Sequence, residues 1–369
     1  MKRYFFGWGL MVLVVAALVG CGKKSVETID YLPCKQLQDG GWGFVDRQGK
    51  VYLADAFSEQ PSAVREGVFS VRENGKWSLY SFDTEHPKVV LQDMALVGQP
   101  RDGVLPVAYL DGSFAIVDLQ GKELAKVTEY EGHEVLGSDL RFDKYGLLSV
   151  YTSDGHDDVR KLLIDKSGRL VFSPDAAYDP TMWSQLGENL IFGGTAHADD
   201  EASDGLAFDL NNRVLEDWSR IAGMQDGVET FDGYVVTTLD RGVRIYDTAG
   251  DGHEARVVCP DNVLDVRAIR GDQYVFLGKD WRYGVMRFDG TTALEADYES
   301  VEVLDEGYLV RLDGRYVLLD GRGERVKWLD WDRLVRVEGF GWIGESDERY
   351  YVVDEAFRGV GEGMLAIGK

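Results

Sequence analysis

One pattern constrains this chain more than any other: a short apolar run ending in aspartate, followed by a turn, returns nine times along the 369 residues. It reads "WGFVD" at Asp46, "SLYSFD" at Asp83, "FAIVD" at Asp118, "KLLID" at Asp165 and "GLAFD" at Asp209. The series continues with "VRIYD" at Asp247, "GVMRFD" at Asp289, "YVLLD" at Asp320 and "YYVVD" at Asp354. Successive spacings are 37, 35, 47, 44, 38, 42, 31 and 34 residues, a mean of 38.5. A period of that length marks a stacked array, in which no single unit can bury its own apolar face.

Aspartate suits the position because its carboxylate accepts a hydrogen bond from a backbone N–H two residues on, which favours a tight turn. Gly49, Gly121, Gly168 and Gly250 follow their aspartates at a distance that closes a hairpin of three or four residues, where glycine supplies positive φ. The nine aspartates therefore read as structural positions and not as catalytic acids.

Each period has room for about four short strands. The stretch from Tyr283 to Asp313 divides into "YGVMRFDG", "TTALEADY", "SVEVLDEG" and "YLVRLD". Apolar content of 44%, 12% aromatic residues and 44 glycines fit many strands separated by turns, and after Cys21 long runs of helical period are hard to find. The expected fold is all-β, a β-propeller-like array of about eight four-stranded blades. An open, curved β-solenoid is the alternative. In a propeller, the terminal "GMLAIGK" would pair with the early "YLPCKQ" and close the ring.

The stretch "GWGFVDRQGK", with Trp42, Gly43, Asp46 and Gly49, resembles the bacterial WG-repeat proteins. "EGVFSVRENGKW", ending at Trp77, and "DEGYLVRLDGRYVLLDGRGE" resemble the same repeat in worn form. Ser78 stands where the motif has a second glycine, and the Asp165, Asp209 and Asp247 units lack the tryptophan. The resemblance implies repeats of an interaction type outside the cytoplasm and fixes neither a ligand nor an active site.

The N-terminus addresses compartment. Lys2 and Arg3 precede the apolar run "LMVLVVAALV", which is short for a membrane span and reads as an export signal. "LVGCG" resembles the lipobox of bacterial lipoproteins, which implies removal of residues 1–20 and acylation of Cys21 by palmitate-like chains. Several chains would anchor the protein firmly. Residues 21–29 then form a lipidated tether, and residues 30–369 the repeat domain. Gly22 in place of an acidic residue favours the outer membrane, on either face.

Without residues 1–20 the chain keeps 38 basic and 64 acidic residues, a net charge of −26. Nucleic acid is excluded as a partner, since affinity for phosphate rests on Lys and Arg. An envelope protein is the expected partner, and a glycan the alternative. No enzyme is expected: no zinc-ligand His pair, phosphate-cradling loop or nucleophile elbow is present in the sequence. No cofactor is expected either, with one low-ranked exception. Asp199, Asp200, Glu201 and Asp204 could offer oxygen ligands to calcium, as could "DTAGDGHE" from Asp247, although neither follows the order of a helix–loop–helix calcium site. Cys34 and Cys259, in different repeats, read as buried free thiols, with a disulfide permitted in an exported protein.

Tryptophan supplies the remaining candidates. Trp42, Trp77 and Trp281 are expected to pack between blades. Trp328, Trp331 and Trp342, with Trp183 in an inserted loop, could instead form an aromatic platform for a sugar or peptide, although burial in the core is the commoner fate of such residues.

Overall fold

The computed structural model describes residues 28–153, 159–175, 178–195, 205–222, 228–231, 233–239 and 242–368. Residues 1–20, read as an export signal, Cys21, and Asp199, Asp200, Glu201 and Asp204 lie outside them.

The chain is a β-propeller. Among the described residues its strands form eight hydrogen-bonded sheets: five of four strands, and one each of three, five and six. Every named pairing is antiparallel between neighbours, as in Gly307–Leu312 with Arg315–Asp320. The six-stranded sheet explains how nine repeat units fit into eight sheets. Its long strand Lys88–Val97 pairs with Lys76–Ser81 of the Asp83 unit and then with Val104–Tyr109 of the Asp118 unit. Met94 sits at the changeover, opposite both Trp77 and Tyr109.

The ring is closed by the two ends of the chain. Ala366 and Ile367 pair antiparallel with Lys35 and Cys34, so the C-terminus supplies one strand of a sheet whose other three come from Leu32–Lys35, Trp42–Val45 and Val51–Phe57. Leu365 N–H donates to Lys35 O and Gly368 N–H to Pro33 O, both at 2.8 Å. This excludes the open solenoid.

Packing follows the repeat. Alternate strand residues face the neighbouring unit, and nine apolar clusters form among the described residues, each spanning two successive units. The cluster of Phe44, Phe57 and Phe69 between the Asp46 and Asp83 units is built from edge-to-face rings. Burial of each such side chain contributes roughly 1.5–3 kcal/mol. The joint between the last and first units buries Ile29, Leu32, Cys34, Ile343, Val352 and Met364 in the same way. Cys34 and Cys259 are both free and buried.

All nine turn aspartates accept backbone N–H groups. Asp46 Oδ1 takes Gln48 and Lys50, each at 2.9 Å, and Asp320 Oδ1 takes Arg322 and Glu324 at the same distance. Asp83, Asp118, Asp165, Asp209, Asp247, Asp289 and Asp354 do likewise with their own turns. Gly49, Gly121 and Gly168 have φ of 76–78°. Gly250 departs from expectation, because in its longer turn the left-handed position falls on Gly252.

One element breaks the strand pattern. In the Asp209 unit the fourth strand is reduced to a single bridge, Phe208 to Val214, and the chain then forms the helix Glu216–Ala222. Trp218, Ile221 and Ala222 recur at helical spacing and bury against Leu190, Ala207 and Val235.

Candidate functional site

In an up-and-down sheet the first and third turns of each unit lie on one face of the ring, and the second turn lies on the other. The aspartate turns are third turns, so they share one face. On that face, between the Asp209 and Asp247 units, a cleft of about 1070 Å³ opens.

Local sequence builds its walls. The turn Glu188–Asn189 and the segment Arg213–Trp218 form one side, and Asp247–Asp251 the other. The helix holds the two sides together. Trp218 Nε1–H donates to Gly250 O at 3.1 Å, and Gly252 lies flat under the indole, where a Cβ would come within 2.7 Å of the ring. A side chain at position 252 would therefore push the walls apart. Asn189 accepts the N–H of Leu210 at 3.0 Å and fixes the turn opposite.

The cleft is acidic. Glu188, Glu216, Asp217, Asp247 and Asp251 line it, against one base, Arg213. Asp217 pairs with Arg220 and stands 3.6 Å from His253 Nδ1. Asp247 and Asp251 each accept a turn N–H at 2.9 Å, from Ala249 and His253. Val214, 42% exposed, adds an apolar strip between the carboxylates. Such a surface attracts cations and accepts hydrogen bonds. Two smaller cavities lie at joints between units: about 230 Å³ between Arg333–Val337 and the closing strand, and about 210 Å³ between the Asp83 and Asp118 units.

Asp247–Asp251 of the "DTAGDGHE" stretch thus line the cleft, but the carboxylates of Asp247 and Asp251 brace turns. Among the described residues no three or more His, Cys, Asp or Glu are grouped to hold a metal.

The candidate tryptophans do not converge. Trp183 belongs to a strand, Tyr178–Gly187, where the sequence suggested a loop. It is buried among Leu163, Phe172 and Phe208, with Lys161 Nζ 4.5 Å from its ring centroid. Burial lowers the Lys161 pKa. Trp328 packs on the Val275 cluster between the guanidinium groups of Arg315 and Arg325, at 4.7 and 5.5 Å. Trp331 and Trp342 pack on a third cluster with Leu309, Leu334 and Phe357, and Trp331 Nε1–H donates to Phe357 O. Three clusters in two regions of the ring form no single platform.

Trp42 and Trp77 are half-buried between units, as expected. Trp281 is not. It occupies a turn closed by its N–H donating to Gly278 O, with φ of 58°, and is 75% exposed. The third strand of its unit starts two residues later, at Tyr283, so the motif's aromatic position belongs to tyrosine there.

No protein-family model matches the chain, and no curated protein does. Among solved structures, one described as the eukaryotic initiation factor is 9% identical, with a TM-score of 0.50, covering 92% of this chain and 97% of its own. The WD40 β-propeller domain of Doa1 is 12% identical, with a TM-score of 0.25, over 76% and 87% of the two chains. BamB from Moraxella catarrhalis is 12% identical, with a TM-score of 0.29, over 78% and 91%. The first of these likenesses establishes a shared fold, and a shared fold does not carry function.

Proposed function

We propose that this protein is a lipid-anchored, non-enzymatic scaffold of the bacterial envelope that holds a partner protein. The lipobox-like "LVGCG" before Cys21 and the resemblance to WG repeats support the anchor and the repeat character. The observation that carries the reading is where the body begins. Ile29 N–H donates to Gly339 O at 2.8 Å, and Arg47 Nη2 donates both to that carbonyl, at 2.7 Å, and to Ile29 O. The tether therefore leaves from the joint that closes the ring. Arg47 belongs to the Asp46 turn, so the chain enters the ring on the aspartate-turn face, the face of the acidic cleft, across the ring from it.

A protein partner is favoured over a glycan because Trp183, Trp328, Trp331 and Trp342 are divided among three apolar clusters. The test is crosslinking and co-purification of the native protein from its own membranes, with a Cys21→Ser control. A partner recovered near stoichiometry, and lost from the control, is the expected result. Equal recovery from the control would remove the anchor from the reading, and recovery of no protein would remove the scaffold.

A further inference from the structure

We propose that the cleft between the Asp209 and Asp247 units seats an extended peptide segment bearing lysine or arginine. The inference deepens the scaffold reading and rests on it. The size of the cavity comes first. At about 1070 Å³ the cleft is more than four times either joint cavity, and it reaches the upper end of the range of ligand-binding clefts.

Its walls are fixed before anything binds. The Trp218 hydrogen bond to Gly250 and the indole's seat on Gly252 lock the helix against the neighbouring unit. A preformed groove spares the ordering cost of binding.

The lining selects the occupant. Glu188 and Glu216 have no side-chain partner among the described residues, whereas Asp217, Asp247 and Asp251 are already engaged. An anionic ligand would meet five carboxylates and one guanidinium, and would be repelled. Val214, Leu210 and Leu215 provide apolar wall beside the acids. Lysine and arginine match both features, since their methylene stems lie on apolar surface while the charged head reaches outward. The joint where the chain enters shares this face and lies four units away around the ring in one direction and five in the other.

The experiment is calorimetric titration of the full lipidated chain in detergent with octalysine, and with octaserine as the uncharged control. One saturable site for octalysine and none for octaserine is expected. Glu188→Gln combined with Glu216→Gln should weaken octalysine about tenfold. Glu85→Gln combined with Glu355→Gln, two exposed acids outside the cleft, should leave it within about twofold. Unsaturable binding, or equal weakening by both pairs, would overturn the site in favour of diffuse charge attraction. The two proposals fail separately. A crosslinked partner retained in full by the Glu188/Glu216 variant would remove the cleft and keep the scaffold, and saturable octalysine binding with no partner recovered would do the reverse.

Discussion

The closing joint contains a contact that can be tested by adding a single methyl group. Gly49, in the first aspartate turn, and Gly361, in the strand Gly359–Met364 of the last unit, approach backbone to backbone, both at φ of 76°. A Cβ built on Gly49 would lie 2.3 Å from Val360 O and 2.8 Å from Gly361 Cα, and neither atom can rotate away. Gly75 is the control. Its φ is 81°, yet an added Cβ meets nothing within 4 Å. Alanine at either position incurs the left-handed penalty, about 1–2 kcal/mol. Only Gly49→Ala adds overpacking, a further 1–3 kcal/mol. The expected loss is thus about 2–5 kcal/mol for Gly49→Ala against about 1–2 for Gly75→Ala. Urea unfolding followed by tryptophan fluorescence reads the difference as a change in midpoint at constant slope. Equal losses from the two substitutions would refute the claim that the ends meet in this contact.

Three further outcomes are expected. Trp281→Gly should stabilise the protein by about 1 kcal/mol in the same assay, because it relieves a left-handed φ and gives up little burial; destabilisation would mean that the exposed indole packs on the folded protein. Asp111 and Asp289 are held below the ordinary carboxylate range, first by the hydroxyls and then by the N–H groups of Ser113 and Thr291. Their contribution is complete above the unfolded value, about 4, and is lost as pH falls through the depressed values. Ser113→Ala with Thr291→Val should therefore lower the neutral plateau and make the acid decline shallower; a constant offset at all pH would contradict this. Burial raises the pKa of both thiols, that of Cys34 to about 12, so a thiol reagent at pH 8 should label neither in the folded protein and both in denaturant. Labelling of Cys34 or Cys259 without denaturant would show that its joint opens.

Much of the ring was legible because its turns are local chemistry. An aspartate that accepts the N–H two residues on needs only a few residues to declare itself, and nine of them carried the period. The closing strand was legible for a similar reason: "GMLAIGK" and "YLPCKQ" are both strand-like and stand at the two ends of the repeat array. What escaped depends on the neighbours. The helix at Glu216 was hidden by its length of seven residues, although Leu215, Trp218 and Ile221 carry the spacing. Trp281 looked like the motif aromatic because it precedes an apolar strand, yet a two-residue offset moves it from the strand to the turn. The cleft could not be read at all. Tyr145, Glu188, Val214 and Asp251 come together only when separate units are stacked side by side.

The strand Lys88–Val97 bears on how such a ring can be rearranged. Repeat arrays grow and shrink by copying or losing whole units, and a closed ring can be permuted by joining its ends and cutting elsewhere. Both operations require a place where one unit stops before the next begins. The two-residue turn at Asp305 and Glu306 offers a clean cut within a unit. Between Leu91 and Leu96 there is none, because Met94 belongs to both units at once, paired with Trp77 of one and Tyr109 of the other. The Asp83 and Asp118 units therefore form one indivisible module, to be inherited, transplanted or deleted together.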